Sequence, residues 1–380
     1  MSQVNYQICS NCIMDTTDPN IIFDEKGWCD YCCNYHKNIL PNWHTDEQGK
    51  NELMRIAEKI KKEGKGKDFD CIIGVSGGLD SSYTTYITKE KLGLRPLVFH
   101  VDAGWNTQQA VGNIEKLING LGLDLYTEVI NWEEMKDLQI SFLKSQIADQ
   151  DLPQDAAFFS ALYKFAVKNK IKYVLTGANY STECCREPKE WGGYPGIDKM
   201  LFMDIHRHFG KIPLKTFPLV DILSYKIYYK YFLGMKVIKP LNSTPYIKKD
   251  AEKLLEERFG WEKYLHKHHE SRFTRFYEDY WMPKKFGYEK RRAHFSSLIL
   301  TNQMTKAEAL ERISKPEIED QFWIQEFEYV ANKLDLSIKE LQDIFNGKNK
   351  TYRDYKNKMF LIDLGSKGMS FLGLEKRFFR

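Results

Sequence analysis

Hydrophobic positions along the chain fall first into a helical rhythm and then into short continuous runs. Over 50–64, Leu53, Ile56, Ala57 and Ile60 recur on one face of a 3.6-residue period. Gly64-Lys65-Gly66-Lys67 ends that helix. Cys71-Ile72-Ile73-Gly74-Val75 is then apolar throughout, as a parallel strand buried on both faces should be. A helix over 81–92, a strand over 97–101, a helix over 107–120 and a strand over 125–130 follow. Helices over 133–147 and 155–169 lead to a fourth strand over 171–175. Alternating strands and helices with short joins predict an α/β fold, a parallel sheet with helices on both faces.

Beyond residue 181 the rhythm weakens. The stretch 191–196 (Trp-Gly-Gly-Tyr-Pro-Gly) predicts a loop. Periodicity and caps then predict helices over 218–233, 248–259, 293–300, 305–313 and 321–334. The organisation expected is a cysteine-rich module over 1–45, an α/β domain over 46–245 and a mostly helical part over 246–380. The last is a candidate for the substrate site or for a homo-oligomer interface.

Composition narrows the class. The 380 residues include 42% hydrophobic and 14% aromatic side chains, enough for a sizeable core. A net charge of +4 gives no field that calls for nucleic acid as a partner. No apolar run of about 18 residues is present, so no membrane insertion is expected. The first 12 residues carry no signal-peptide pattern, which makes the cytoplasm the expected location and the cysteines reduced unless they bind metal.

The chemistry starts at Ser76-Gly77-Gly78-Leu79-Asp80-Ser81-Ser82, directly after the first strand and opening a helix. Two glycines let successive backbone N–H groups turn inward as an anion nest, and the helix start adds partial positive charge. The hydroxyls of Ser76, Ser81 and Ser82 can donate to phosphate oxygens. Asp80 would repel phosphate unless it holds Mg2+. The run lacks the Lys-Ser/Thr pair of a Walker loop. Asp102 ends the second strand at the edge where open α/β sheets bind ligands, or else caps the next helix. Gly177 and Asn179 end the fourth strand at the same edge, reading as an adenine or ribose approach or as a turn. Glu183 follows as a second Mg2+ or substrate ligand, or as a solvated carboxylate.

Cys9-x2-Cys12 and Cys29-x2-Cys32 are 16 residues apart. Two such pairs read as a closed structural Zn2+ site, with metal supplying folding energy that some 40 residues cannot. Cys33 leaves the register ambiguous and His36 is a substitute ligand. Cys184-Cys185 reads as packing or as part of a substrate loop. Basic residues gather at His266, His268, His269, Arg272 and Arg275, and again at Lys284, Lys285, Lys290, Arg291, Arg292 and His294. Most read as a solvated face. Lys285, Arg291, Arg292 and His294 lie among Trp281, Phe286 and Tyr288 and are candidates for an anionic ligand, as is Arg186.

The SGGLDSS run resembles the signature of the PP-loop ATP pyrophosphatases, which split ATP between the α and β phosphates and transfer AMP to a substrate oxygen. Together with the double CxxC, the 176–188 stretch (TGAN through CCREP) and KRRAHFSSLIL over 290–300, the chain resembles the N-acetyl sugar amidotransferases of bacterial surface polysaccharide synthesis. That resemblance spans roughly residues 5–375. It implies ATP and Mg2+, a nucleotide-linked acetamido sugar as substrate, and conversion of the acetamido group to an acetamidino group. It implies catalytic roles for Ser76, Asp80, Lys285, Arg291, Arg292 and His294. With no glutaminase signature in the chain, it also implies a separate glutaminase subunit supplying ammonia. A PP-loop tRNA thiolase and a non-catalytic nucleotide-binding scaffold are the competing readings.

Overall fold

The computed structural model describes residues 6–371 apart from 195, 197 and 317; Pro195 of the expected loop and both chain ends lie outside them. Five parallel strands form one sheet: β1 (Cys71–Val75), β2 (Pro96–Asp102), β3 (Leu125–Val129), β4 (Tyr173–Leu175) and β5 (Lys236–Ile238), ordered β3-β2-β1-β4-β5. The order reverses at β1, so the crevice for a ligand opens at the carboxyl ends of β1 and its neighbours.

Alternate residues of the strands feed two cores. Ile72, Leu97, Phe99, Val101 and Val174 pack with helices Trp132–Ser145, Leu152–Lys168 and Lys199–Phe209. Cys71, Ile73, Val75, Val98, Tyr173 and Leu175 pack with helices Glu47–Gly64, Gln108–Leu121 and Lys248–Phe259. Local chemistry sets the helix ends. Asp46 caps Glu47–Gly64 through the N–H groups of Gln48 and Gly49, and Gly122, at φ +58, closes Gln108–Leu121.

Three expectations change. Residues 218–233 are not one helix. Residues 217–221 are irregular chain with Val220 buried in it, and the helix starts only at Ile222, turning wide over Ser224–Phe232. Helix Lys199–Phe209 and strand β5 carried no clear period: β5 is three residues long and pairs only with β4. The cysteine module does not stand alone either. Its sulfurs share an apolar cluster with Cys184, Cys185, Trp191, Ala293 and Leu300.

Beyond Lys248–Phe259, helices Asp320–Lys333 and Ile338–Phe345 join the first core, and Arg291–Leu300 and Lys306–Ser314 pack beside the cysteine module. Among the described residues no helix is long and apolar enough to cross a membrane.

Candidate functional site

The Ser76–Ser82 turn sits at the carboxyl end of β1 and runs into helix Leu79–Tyr86. Gly77 has φ +84, and a Cβ there would stand 2.5 Å from the Ala110 carbonyl oxygen, so glycine is required on both counts. The Gly77 carbonyl is taken by Trp261 Nε1 (3.0 Å) and the Tyr264 hydroxyl (3.3 Å). The Gly78 N–H points to Ser76 Oγ (3.3 Å). Ser81 Oγ receives the Ser76 N–H (3.3 Å) and donates to the Gly78 carbonyl (3.2 Å). Ser82 differs from expectation: it is fully buried with its hydroxyl unpartnered, so Ser76 and Ser81 alone present hydroxyls to the cradle.

Asp80, in the first turn of that helix, and Glu183, after β4, converge on one cation. Lys267 Nζ lies 3.1 Å from Asp80 Oδ2 and also pairs with Glu183 Oε1. The Tyr246 hydroxyl donates to the other Asp80 oxygen. Burial opposes the Glu183 charge, but the Lys267 ammonium outweighs it and holds the carboxyl below its usual range. Burial likewise opposes the Lys267 charge, and Glu183 and Asp80 overcome it and raise its pKa. Two carboxylates that share an ammonium present the oxygen set that Mg2+ takes beside phosphates, so the residues fit that ion.

Lys267 arrives on the segment 261–271, which lies over the cradle and was not assigned there from sequence. The same segment brings Glu270, whose Oε1 accepts from Ser76 Oγ (3.0 Å) and would stand 2.4 Å from a Cβ on Gly78. A carboxylate therefore sits in the glycine cradle and an ammonium sits between Asp80 and Glu183. The segment is anchored at Thr107, whose N–H donates to the Glu270 carbonyl (2.9 Å). The histidine cluster signalled this segment, but Lys267 inside it reads as one more solvated lysine until the fold supplies its partners.

The other sequence candidates divide. Asp102 Oδ1 accepts from the Gly104 N–H (2.8 Å) and from Asn106 Nδ2 (3.2 Å), shaping the turn after β2. A Cβ on Gly177 would stand 2.7 Å from the Asp80 carbonyl carbon, so its close approach is to the phosphate-loop helix itself. Asn179 is buried and caps residues 180–183 through the Thr182 N–H (2.8 Å). Arg186 is exposed, close enough to Lys226 to oppose its charge. His294 faces Lys248, Lys267 and His268; burial first and those cations second hold it well below its ordinary pKa, and so neutral.

Lys285, Arg291 and Arg292 are engaged elsewhere. Lys285 Nζ donates to the carbonyls of Phe345 and Gly347, each at 2.7 Å. Arg291 forks onto Glu289 (2.7 Å), and Arg292 binds Asp15 (3.1 Å) and the Ile13 carbonyl (2.9 Å), tying its helix to the cysteine module. Arg272 and Arg275 both clamp Glu326, itself buried, at 2.7 and 3.1 Å. These basic groups are held by carboxylates and carbonyls of the fold, a use their spacing cannot disclose.

The four sulfurs of Cys9, Cys12, Cys29 and Cys32 gather within 4.8 Å of one another. Three neighbouring pairs lie at 3.7, 3.5 and 3.6 Å. A zinc–sulfur bond of about 2.3 Å implies tetrahedral edges of about 3.8 Å, so the donors fit Zn2+. Backbone N–H groups of Asn11, Cys12 and Cys29 point to Cys9 Sγ at 3.1–3.4 Å, the support a thiolate needs. Cys33 instead points to Asp24 (3.6 Å). Cys184 and Cys185 pack in the same apolar cluster as these sulfurs, and the Cys185 N–H donates to Ser297 Oγ (2.9 Å).

Comparison with known proteins adds two strands of likeness. Residues 270–368 match the family described as LPS biosynthesis protein WbpG-like, C-terminal domain. The chain is 24% identical over 235 residues to a GMP synthase (glutamine-hydrolyzing) of Aeropyrum pernix, covering 60% of this chain and 39% of that protein. It is 34% identical over 118 residues to an uncharacterized protein of Methanocaldococcus jannaschii, covering 31% and 40%. The chain thus spans less than half the length of these curated relatives. Among solved structures, an NH3-dependent NAD synthetase of Campylobacter jejuni is similar at 13% identity, with a TM-score of 0.32 over 80% of this chain and 97% of that one. The likeness thus lies to a WbpG-like C-terminal domain over 270–368 and to GMP synthases over part of the chain.

Proposed function

We propose that this chain is the ATP-using synthetase half of an amidotransferase that activates the acetamido oxygen of a nucleotide-linked N-acetyl sugar as its AMP ester and replaces it with nitrogen. The observation that carries the reading is the pairing of a glycine cradle with two carboxylates on one cation, Asp80 and Glu183 about Lys267. The WbpG-like C-terminal domain supports a polysaccharide precursor as substrate.

The cradle N–H groups and the hydroxyls of Ser76 and Ser81 hold the β and γ phosphates. Asp80 and Glu183 would hold Mg2+, which would supply charge neutralisation there. Lys267, beside the same carboxylates, supplies positive charge for the departing pyrophosphate. Neutral His294 donates a hydrogen bond without adding a further charge beside Lys248 and Lys267. Arg186 and Lys226 stand together as a cationic pair for a nucleotide diphosphate. An amide oxygen is a poor leaving group, and adenylation makes it one that departs as AMP. Catalysis is then mostly positioning. Ammonia comes from a separate glutaminase subunit.

The test is incubation with ATP, ammonium and a panel of nucleotide acetamido sugars, read by mass spectrometry. Replacement of O by NH with AMP and pyrophosphate formed supports the reading; ADP and phosphate as the products refute it. Glutamine used without a partner refutes the separate glutaminase. The thiolase alternative is disfavoured because Cys71 is buried in β1 and Cys184 and Cys185 back the sulfur cluster.

A further inference from the structure

One residue beyond Lys267 the cleft turns acidic. His268 Nδ1 meets Glu278 (3.1 Å), Glu278 also takes Lys290 Nζ (2.9 Å), and Lys290 binds Glu187 (2.8 Å). Asp149, Asp151 and Asp155 lie in the field of the same Lys290. Five carboxylates thus face two cations. Asp151 is satisfied by the Thr274 hydroxyl (2.7 Å). Asp149 and Asp155 make no hydrogen bond or ion pair among the described residues, although Asp149 is only 7% exposed. An enclosed, unpaired carboxylate calls for a proton or a cation. Burial first, then the neighbouring carboxylates, pushes Asp149 well above the usual range, while Asp155 stays exposed.

Among the described residues the only group of three or more metal-type donors that converges is the cysteine cluster. Scattered single carboxylates suit a small cation that donates hydrogen bonds and passes from one to the next. Asp149 also lines a cavity of about 110 Å³, walled by Ala148, Lys189, Tyr194, Tyr288 and Tyr352 and by no residue of the phosphate loop. It therefore stands between that outer cavity and the acidic pocket.

We infer that Asp149 and Asp155 receive ammonium entering through this cavity and deliver neutral ammonia to the activated carbon in the cleft. This rests on the amidating function proposed above. One N–H bond of ammonium breaks and its proton goes to the carboxylate. The freed lone pair forms the C–N bond at the imidoyl carbon. A second proton passes from the entering nitrogen to the sugar nitrogen. The C–O bond then breaks with its electrons on AMP, leaving a protonated acetamidino group.

The experiment compares Asp149→Asn and Asp155→Asn with the wild-type full chain, using ammonium chloride as the nitrogen source. Zinc content and Mg2+-ATP binding serve as folding checks, and Asp155, open to the cleft, is the variant tolerant of substitution. The expected result is a fall of about 10²-fold in kcat/KM for ammonium with KM for ATP unchanged. The deficit should shrink as alkaline pH raises free ammonia, which a merely structural role would not produce. The groups facing the pair, Lys290, Glu187, Asp151, Glu278 and His268, are the same in all arms. Wild-type turnover with an undiminished kcat/KM in both variants overturns the inlet alone. No ammonium-dependent AMP formation by the wild type overturns the amidating reading and this inference with it.

Discussion

Glu270→Gln should tighten the binding of Mg2+-ATP. The Glu270 carboxylate sits against Gly78 and accepts from Ser76 Oγ at 3.0 Å, in the space a phosphate needs. Nucleotide must displace it. A hydrogen bond to a charged group contributes about 1.5–3 kcal/mol, and Glu270 is only half-buried, so the low end applies. Removing the charge also removes repulsion between the carboxylate and the incoming phosphates. Glutamine keeps the size, and the anchoring contact from Thr107 is to the backbone carbonyl, so the segment should stay docked. The gain is about 1.4 kcal/mol, or about tenfold in Kd. Calorimetric titration of the full chain with Mg2+-ATP, wild type against variant, measures it directly. Unchanged or weaker binding would refute the reasoning, since it would mean that Glu270 leaves no phosphate position blocked or is itself a ligand in the bound state.

Lys267→Met leaves Asp80 and Glu183 without their shared cation, so the ligand-free protein should lose about 3 kcal/mol; thermal melting with and without millimolar Mg2+ should show the loss largely restored by the ion. Arg292→Ala should destabilise by about 3 kcal/mol because Asp15, fully buried, loses its cation. Its turnover at low temperature should stay near wild type, which urea unfolding and rate measurements together check. His268 carries a pH dependence. Burial opposes its charge, but Glu278 outweighs this and pushes it up to about 9, above its ordinary value, with Lys267 and Glu270 also facing it. The stability it contributes is fully present below about pH 6.5 and lost as pH rises through about 9. Its side chain is 42% exposed, so screening limits the size to about 1 kcal/mol; urea midpoints across that window, flattened in Glu278→Gln, test it. Chelation of the sulfur cluster should uncover the apolar surface of Trp191, Ala293 and Leu300, read as binding of a hydrophobic dye.

What the sequence determined by itself is whatever rests on local chemistry. The apolar run at β1 and the mostly apolar runs at β2 and β4, short and spaced by helices, mark buried parallel strands. Gly77 and Gly78 between a strand and a helix start define the cradle whatever lies around them. Two CxxC pairs bring four thiolates together because each pair is its own turn. Tertiary structure decided what depends on partners far along the chain. Lys267 and Glu270 reach the cradle across about 190 residues, and nothing in their own neighbourhood distinguishes them from a solvated charge run. Lys285 and Arg292 were singled out as ligands of an anion, and the fold gives them to backbone carbonyls and to Asp15. A charge is read from the sequence, but its role is set by which opposite charge or acceptor burial forces beside it, and that is a property of packing.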